Sequence, residues 1–206
     1  TYDSQYLLDL ILKNLSNIDN INDTLIKLMN NFSVSYCLCI IYKDSLYVIR
    51  DRYGIRPLSL YIDSNSNSNF NNSKNKKDFI NHKKKGLSGL NRVYVSSESN
   101  AFKSIRDNIK NYDYRENIRE VMPGEIIKIN NEGVKVIYTH PAARYGLCAF
   151  ELFYFMNPDS FIYNNYVSDI RRLLGIKLAQ KEKHTSILKK FNNFKNKNKR
   201  YIVTGV

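Results

Sequence analysis

Apolar residues near the amino end of the chain recur every three to four positions, which is the spacing of one helix face. The first such stripe consists of Leu7, Leu8, Ile11 and Leu15. A second stripe follows Asn20 and consists of Ile21, Leu25, Leu28, Met29 and Phe32. Asp3 stands ahead of the first stripe, where a short polar side chain can cap exposed backbone N–H groups. The pattern predicts two amphipathic helices.

The hydrophobic period then shortens to two, which is typical of β-strands. Residues 34–42 are apolar on both alternating faces, and a polar turn at 43–45 leads into a hairpin partner at 46–51. Further elements are predicted as strands at 58–62, 93–98, 125–130, 134–140, 147–155 and 201–206, a helical piece at 101–105 and a helix along Val167, Ile170, Leu174 and Leu178. Strands that are apolar on both faces must be covered on both sides. The sequence therefore predicts an α+β architecture with helices outside stacked sheets.

The formal net charge of +13 is concentrated in two segments of the 206-residue chain. Residues 63–92 carry +5 and residues 181–200 carry +7, and both segments are low in complexity, being rich in Asn, Ser and Lys. Such segments bury too little apolar surface to offset the entropy cost of ordering. We therefore expect solvated inserts rather than a nucleic-acid surface, which would also need ordered aromatic stacking groups.

Other global features exclude a membrane protein and favour a reducing compartment. The longest apolar run, 34–42, is far shorter than the roughly 20 residues of a membrane span, and the opening residues lack the basic region of a signal peptide. Three cysteines cannot all pair within the chain. The expected location is the cytoplasm.

The residues alone provide few candidates for catalysis. The three histidines are scattered, and no Gly-rich phosphate loop is present. Cys37 and Cys39 lie two residues apart on a predicted strand, which is not the usual zinc spacing and favours core packing.

Six segments, in this order, resemble the family of glutamine phosphoribosylpyrophosphate amidotransferases, also called amidophosphoribosyltransferases. They are TYDSQYLLDLI (1–11), IRDRYGIRPLSL (49–60), VYVSSESNAF (93–102), REVMPGEIIKI (119–129), CAFELFYFMNPDSFI (148–162) and YIVTGV (201–206). The resemblance covers nearly the whole chain outside the two low-complexity segments.

The resemblance implies a bifunctional enzyme of purine synthesis. An N-terminal nucleophile hydrolase domain, an αββα sandwich, releases ammonia from glutamine, and a type I phosphoribosyltransferase domain uses it to convert phosphoribosylpyrophosphate into 5-phosphoribosylamine. Residues 1–146 would then be an incomplete amidotransferase domain with an insert at 63–92. Residues 147–206 would be a linker and the start of the transferase domain with an insert at 181–200. The chain by itself is expected to be an inactive internal fragment. The alternative is a degenerate relative that acts as an interaction scaffold.

The resemblance also implies roles for particular residues. Asp3 matches the aspartate that binds the α-amino group of glutamine. Interdomain or structural motif positions are Arg50, Asp51, Gly54, Arg56, Ser97, Glu98, Glu151, Asp159 and Ser160. The first four suggest a buried network of arginine and aspartate beside a glycine that shapes a loop. Pro123, Gly124 and Glu125 are expected to form only a turn.

Cofactors and partners follow from the same resemblance. Cys148 matches one of four cysteine ligands of a 4Fe-4S iron–sulfur cluster that some members carry. Mg²⁺ would accompany phosphoribosylpyrophosphate, since phosphate oxygens are hard ligands. The full-length protein is expected to be a homo-oligomer, usually a tetramer.

Overall fold

The structure is a computed structural model that describes residues 3–18, 20–63, 92–106 and 114–182. The chain divides into two compact units after Val167. The first unit contains helices α1 (Asp3–Ile18) and α2 (Ile21–Asn31) and strands β1 (Cys37–Tyr42), β2 (Ser45–Arg50), β3 (Ser59–Asp63), β4 (Arg92–Ser96), β5 (Ile118–Glu120), β6 (Glu125–Asn130), β7 (Gly133–Thr139), β8 (Phe161–Ile162) and β9 (Asn165–Tyr166). Helix α3 (Val167–Glu182) begins at the boundary. The predicted boundary at 146/147 stays a prediction.

The two amino-terminal helices form where the apolar stripes predicted them. Helix α2 is capped by Asn20, whose side chain accepts a hydrogen bond from the N–H of Asn22. Its apolar face is buried, with Leu25 and Met29 fully inaccessible to solvent. These side chains pack with Tyr47 and Ile49 of β2, so the helices cover one face of a sheet.

Two antiparallel sheets form the next two layers of the first unit. The first sheet has the strand order β1-β2-β6-β7, and the second has the order β4-β3-β5. Their facing sides share a core that includes Val48 and Ile127 of the first sheet and Leu60 of the second. The structure confirms the prediction of stacked sheets with helices outside them, in the layer order helix, sheet, sheet.

The outer face of the second sheet is covered by a short 3₁₀ segment, Ser99–Arg106. Phe102 in this segment packs on the fully buried Tyr61, with 5.7 Å between ring centroids. The predicted helical piece at 101–105 is therefore present as a 3₁₀ helix.

Two strand predictions need correction. Residues 147–155 are not a strand, because Glu151–Phe155 is a π-helical turn in which the N–H of Met156 bonds to the carbonyl of Glu151. Local apolar composition cannot distinguish a strand from a helical turn packed on one side. The second correction concerns β1, which was predicted to be covered on both faces. Ile41 is 82% exposed on this edge strand, so one face is not covered there.

Helix α3 confirms the prediction made from Val167, Ile170, Leu174 and Leu178. Several of its apolar side chains, including Leu174 and Leu178, are exposed. The predicted strand at 201–206 and most of both low-complexity segments lie outside the described residues. No described helix has the length and hydropathy needed to cross a membrane.

Candidate functional site

Arg50, at the end of β2, is fully buried and organises the loop that follows it. Its guanidinium donates to the backbone carbonyls of Gly54 at 2.9 Å, Arg56 at 2.8 Å and Val121 at 2.6 Å. It also forms an ion pair with Glu120 at 2.9 Å. A planar fork with five N–H donors can satisfy this set, which a lysine could not do. Arg50 therefore holds the curvature of residues 51–57.

Asp51 is as buried as the sequence predicted, but its contacts are with the backbone. Its Oδ1 accepts from the N–H of Tyr53 at 2.9 Å, while Oδ2 is buried without a hydrogen-bond partner. Burial raises the pKa of this carboxyl, and hydrogen bonds from Tyr53 and neighbouring backbone N–H groups oppose the rise. Arg50 and Asp51 thus act through separate contacts, and the ionic partner of Arg50 is Glu120.

Gly54 and Gly124 allow the loop to approach the neighbouring turn closely. Gly54 has a φ of +57°, and a Cβ there would lie 2.6 Å from Cγ of Pro123. Gly124 has a φ of +73°, and its N–H donates to the carbonyl of Asp51. The predicted turn at Pro123–Glu125 is confirmed, and it also docks on the loop.

Glu125, at the start of β6, stabilises the same turn through its carboxylate. Its carboxylate accepts from Arg119 through both oxygens, at 2.7 and 2.9 Å, and from the N–H of Met122 at 2.9 Å. Both side chains of the Arg119–Glu125 pair are largely buried.

Residues 144–161, called the strap from here on, run along the other side of the loop 51–57. The backbone N–H groups of Arg144, Gly146 and Cys148 donate to the carbonyls of residues 52, 53 and 55 at 2.9, 2.7 and 3.0 Å. These three bonds attach the residues that precede the π-helical turn to the loop.

Arg56 and Glu151 join the loop to the π-helical turn of the strap. Their side chains form an ion pair at 2.6 Å; Glu151 is 2% exposed and Arg56 is 53% exposed. The Arg56 guanidinium also lies 5.6 Å from the ring centroid of Phe155. Burial raises the pKa of Glu151, the positive charge of Arg56 lowers it, and nearby Glu98 raises it further.

Glu98 and Ser99 hold the last part of the strap. Oε2 of Glu98 accepts from the N–H of Asn157 at 2.7 Å and from the hydroxyl of Ser160 at 2.6 Å. The Ser99 hydroxyl accepts from the N–H of Phe161 at 2.6 Å and donates to its carbonyl at 3.1 Å. Because these contacts join residues about 60 positions apart, two separate sequence motifs form one clamp.

The remaining predicted residues are Asp159, Ser97 and Asp3. Asp159 forms an exposed ion pair with Lys103 at 2.9 Å, and Ser97 is exposed after β4. Asp3 is the first residue of α1. Direct contacts join Arg50, Asp51, Gly54, Arg56 and Glu151 into one group. Glu98 and Ser160 form a second contact, while the side-chain partner of Asp159 is Lys103, which the sequence did not predict.

The cysteines of this chain do not provide a complete site for an iron–sulfur cluster. The chain has three cysteines, Cys37, Cys39 and Cys148, whereas a 4Fe-4S cluster uses four. Within the described ranges, no three histidine, cysteine, aspartate or glutamate side chains are grouped so that they could hold a metal ion. The residues present therefore do not by themselves fit the cluster.

Sequence reasoning missed Glu120, Arg119 and the docking role of Glu125. Glu120 is 70 positions from its partner Arg50, so no local pattern connects them. The Arg119–Glu125 pair could have been predicted from the sequence, because these two opposite charges flank the Pro123-Gly124 turn.

Known proteins resemble this chain in both sequence and fold. A human protein named amidophosphoribosyltransferase is 33% identical over 157 residues, which cover 74% of this chain and 26% of the relative. The rat protein of the same name is 32% identical over 155 residues, with the same coverage. The chain is similar to part of an amidophosphoribosyltransferase. This confirms the resemblance inferred from the six motifs.

The similarity extends to an archaeon and to solved structures. The amidophosphoribosyltransferase of Methanothermobacter thermautotrophicus is 27% identical over 175 residues, covering 85% of this chain and 30% of that protein. A structure described as the allosteric regulatory enzyme of purine biosynthesis has a TM-score of 0.62 at 26% identity, covering 87% of this chain and 31% of that structure. No protein-family model matches the chain.

A second solved structure supports the fold alone. It is the glutamine phosphoribosylpyrophosphate amidotransferase of B. subtilis complexed with ADP and GMP, with a TM-score of 0.63 at 23% identity. The match covers 91% of this chain and 32% of that structure. The chain spans about a quarter of the length of the amidophosphoribosyltransferases from rat and human.

Proposed function

We propose that the chain is part of an amidophosphoribosyltransferase that makes 5-phosphoribosylamine, glutamate and pyrophosphate from phosphoribosylpyrophosphate, glutamine and water. The observation that supports this most is the convergence of four motif segments in one cluster. The loop 51–57, the Pro123–Glu125 turn, the Glu98–Ser99 clamp and the strap are far apart in sequence and contact one another. The name amidophosphoribosyltransferase, which the rat and human relatives carry, agrees with this assignment.

In the proposed reaction, glutamine hydrolysis supplies ammonia for the second step. The ammonia nitrogen forms a bond to the ribose carbon as the carbon–oxygen bond to pyrophosphate breaks, and pyrophosphate leaves with the bonding electrons. Mg²⁺ would bind the phosphate oxygens of the substrate. We assign the residues 1–146 to the glutamine-hydrolysing sandwich and the residues 147–206 to the linker and start of the transferase domain.

Within this scheme, Asp3 binds glutamine. A carboxylate at the start of α1 is suited to pair with the α-ammonium group of the substrate. The buried residues around Arg50 have another task, which is to hold the loop 51–57 and the strap in one arrangement.

Three further features belong to the proposal. In the complete protein, Cys148 would be one ligand of an iron–sulfur cluster whose other cysteines lie outside this chain. The enzyme would be a homo-oligomer, a tetramer, in the cytoplasm. Visible absorption and iron content of the wild type and of the variants Cys148→Ser and Cys39→Ser test the cluster. Loss of iron in Cys148→Ser alone would support it.

The function is tested with the complete product of the gene that encodes this chain. We expect glutamate release from glutamine, and pyrophosphate release from phosphoribosylpyrophosphate with glutamine or ammonium in the presence of Mg²⁺. A purified, folded protein that releases neither product, and whose gene does not restore purine-independent growth, would overturn the proposal and favour an interaction scaffold.

The Asp3→Asn variant tests the glutamine site. Its glutamine-supported activity should fall at least tenfold through a higher KM, while ammonium-supported activity stays unchanged. Asp9→Asn is the matched control, because Asp9 is exposed on the same helix. Equal KM values for glutamine in the two variants would exclude this role of Asp3.

A further inference from the structure

The strap is part of the first unit and is attached to other segments of that unit at three places along its length. Its beginning bonds to the loop 51–57 through backbone N–H groups, and its end is clamped by Glu98 and Ser99. Between these attachments, the π-helical turn contacts the loop through the side chains of Arg56 and Glu151. The chain reaches the second unit, which begins at Ser168, only after it has passed through the strap.

The middle attachment differs from the others because it includes a buried charge. Glu151 is almost fully inaccessible to solvent, and Arg56 faces it at 2.6 Å from the loop. Without Arg56, the carboxylate would be buried beside Glu98, another negative charge that acts on it. Removing one partner of such a pair leaves an uncompensated charge, which favours opening of the structure around it.

The loop side of this contact is held by a buried side chain. The carbonyl of Arg56 accepts from the buried guanidinium of Arg50, and Pro57 follows directly. The strap side is a π-helical turn, a geometry that occurs often at functional positions in proteins. The ion pair therefore connects a fixed loop to a segment with an unusual backbone.

We propose that Arg56 and Glu151 are a positioning pair that latches the strap to the loop 51–57. When the pair is broken, the strap opens locally while the two sheets stay folded. The consequence of this inference rests on the proposed function, in which the boundary between residues 1–146 and 147–206 lies within the strap. The pair would then position the two parts for transfer of ammonia.

Local opening can be measured on the chain itself through the reactivity of Cys148. This thiol lies half-buried in the strap, three residues before Glu151, whereas Cys39 is exposed on β1 and provides an internal reference. Labelling with a maleimide, followed by mass spectrometry of peptides, gives the ratio of the two rates. We expect the Cys148 to Cys39 ratio to rise at least tenfold in Arg56→Met.

The remaining variants separate a latch from a general loss of stability. Glu151→Gln should raise the ratio less, because the amide removes the buried charge, and Arg56→Lys should restore part of the protection. The double variant should not add the two effects, as expected for residues that act as a pair. Arg144→Met makes the same chemical change at an exposed strap position and should leave the ratio unchanged. A ratio in Arg56→Met equal to that of Arg144→Met would overturn the latch.

The complete enzyme provides the second readout. In Arg56→Met we expect less pyrophosphate formed per glutamate released with glutamine, while ammonium-supported turnover is maintained. An unchanged product ratio in an active enzyme would overturn the positioning role. If the wild type releases no glutamate, the proposed function fails, and the labelling ratio still decides whether the latch exists.

Discussion

Replacing Arg50 with methionine tests the central claim about the loop 51–57. Methionine keeps a long unbranched side chain but removes all donors to the carbonyls of Gly54, Arg56 and Val121 and the ionic partner of Glu120. Each buried acceptor left unpaired costs about 1–3 kcal/mol, and breaking a buried ion pair costs about 3–5 kcal/mol. Because the side chain of Glu120 is 19% exposed, breaking its ion pair with Arg50 should cost an amount near the lower end of the range of about 3–5 kcal/mol.

Even with partial relaxation, Arg50→Met should lose about 5 kcal/mol or more of the free energy of unfolding. That amount is comparable to the whole stability of many domains, about 5–15 kcal/mol. Urea unfolding followed by far-ultraviolet circular dichroism measures the loss; tyrosine fluorescence is a second probe, since the chain has 16 tyrosines and no tryptophan.

Two further variants make the Arg50 result interpretable. Glu120→Gln keeps an oxygen acceptor for the guanidinium and should cost only about 1–2 kcal/mol. Arg144→Met removes an exposed arginine and should lie within about 0.5 kcal/mol of the wild type. A loss below about 1 kcal/mol in Arg50→Met would refute the argument that its four contacts hold the loop.

Three other predictions concern a pH dependence, thiol reactivity and backbone strain. Burial raises the pKa of Asp51, so its contribution to stability is present below about pH 4 and is lost as the pH rises through the folded-state value. The unfolding free energy of the wild type minus that of Asp51→Asn should therefore fall with rising pH in this window, and a rising difference would contradict the assignment. Burial raises the pKa of Cys37 to about 11, so its thiolate fraction at pH 8 is about 100-fold below that of an ordinary thiol, and maleimide should label Cys37 far more slowly than exposed Cys39. Gly124→Ala should cost about 1–3 kcal/mol in urea unfolding, because φ is +73° and the new Cβ would lie 2.9 Å from Cβ of His140; a neutral change would show that the turn can relax.

Local patterns predicted most of the secondary structure because those elements depend on near neighbours. The apolar stripes predicted α1 and α2, and the apolar runs with their flanking turns predicted β2 and β6. The same reasoning failed at 147–155, where a run of apolar residues forms a π-helical turn with exposed aromatic side chains such as Phe150 and Tyr154. A short apolar run has no periodicity strong enough to decide between the two structures.

The amino-acid sequence by itself determined the layered class of the fold and the similarity to amidophosphoribosyltransferases, because both can be recognised from short, continuous stretches of residues. Only the tertiary structure decided which charges meet. Glu120 lies 70 positions from Arg50, and Ser160 lies 62 positions from Glu98. Such pairs form because buried charges need partners, and the folded backbone determines which residues are close enough to pair. The spacing of residues along the sequence does not show which distant positions become neighbours.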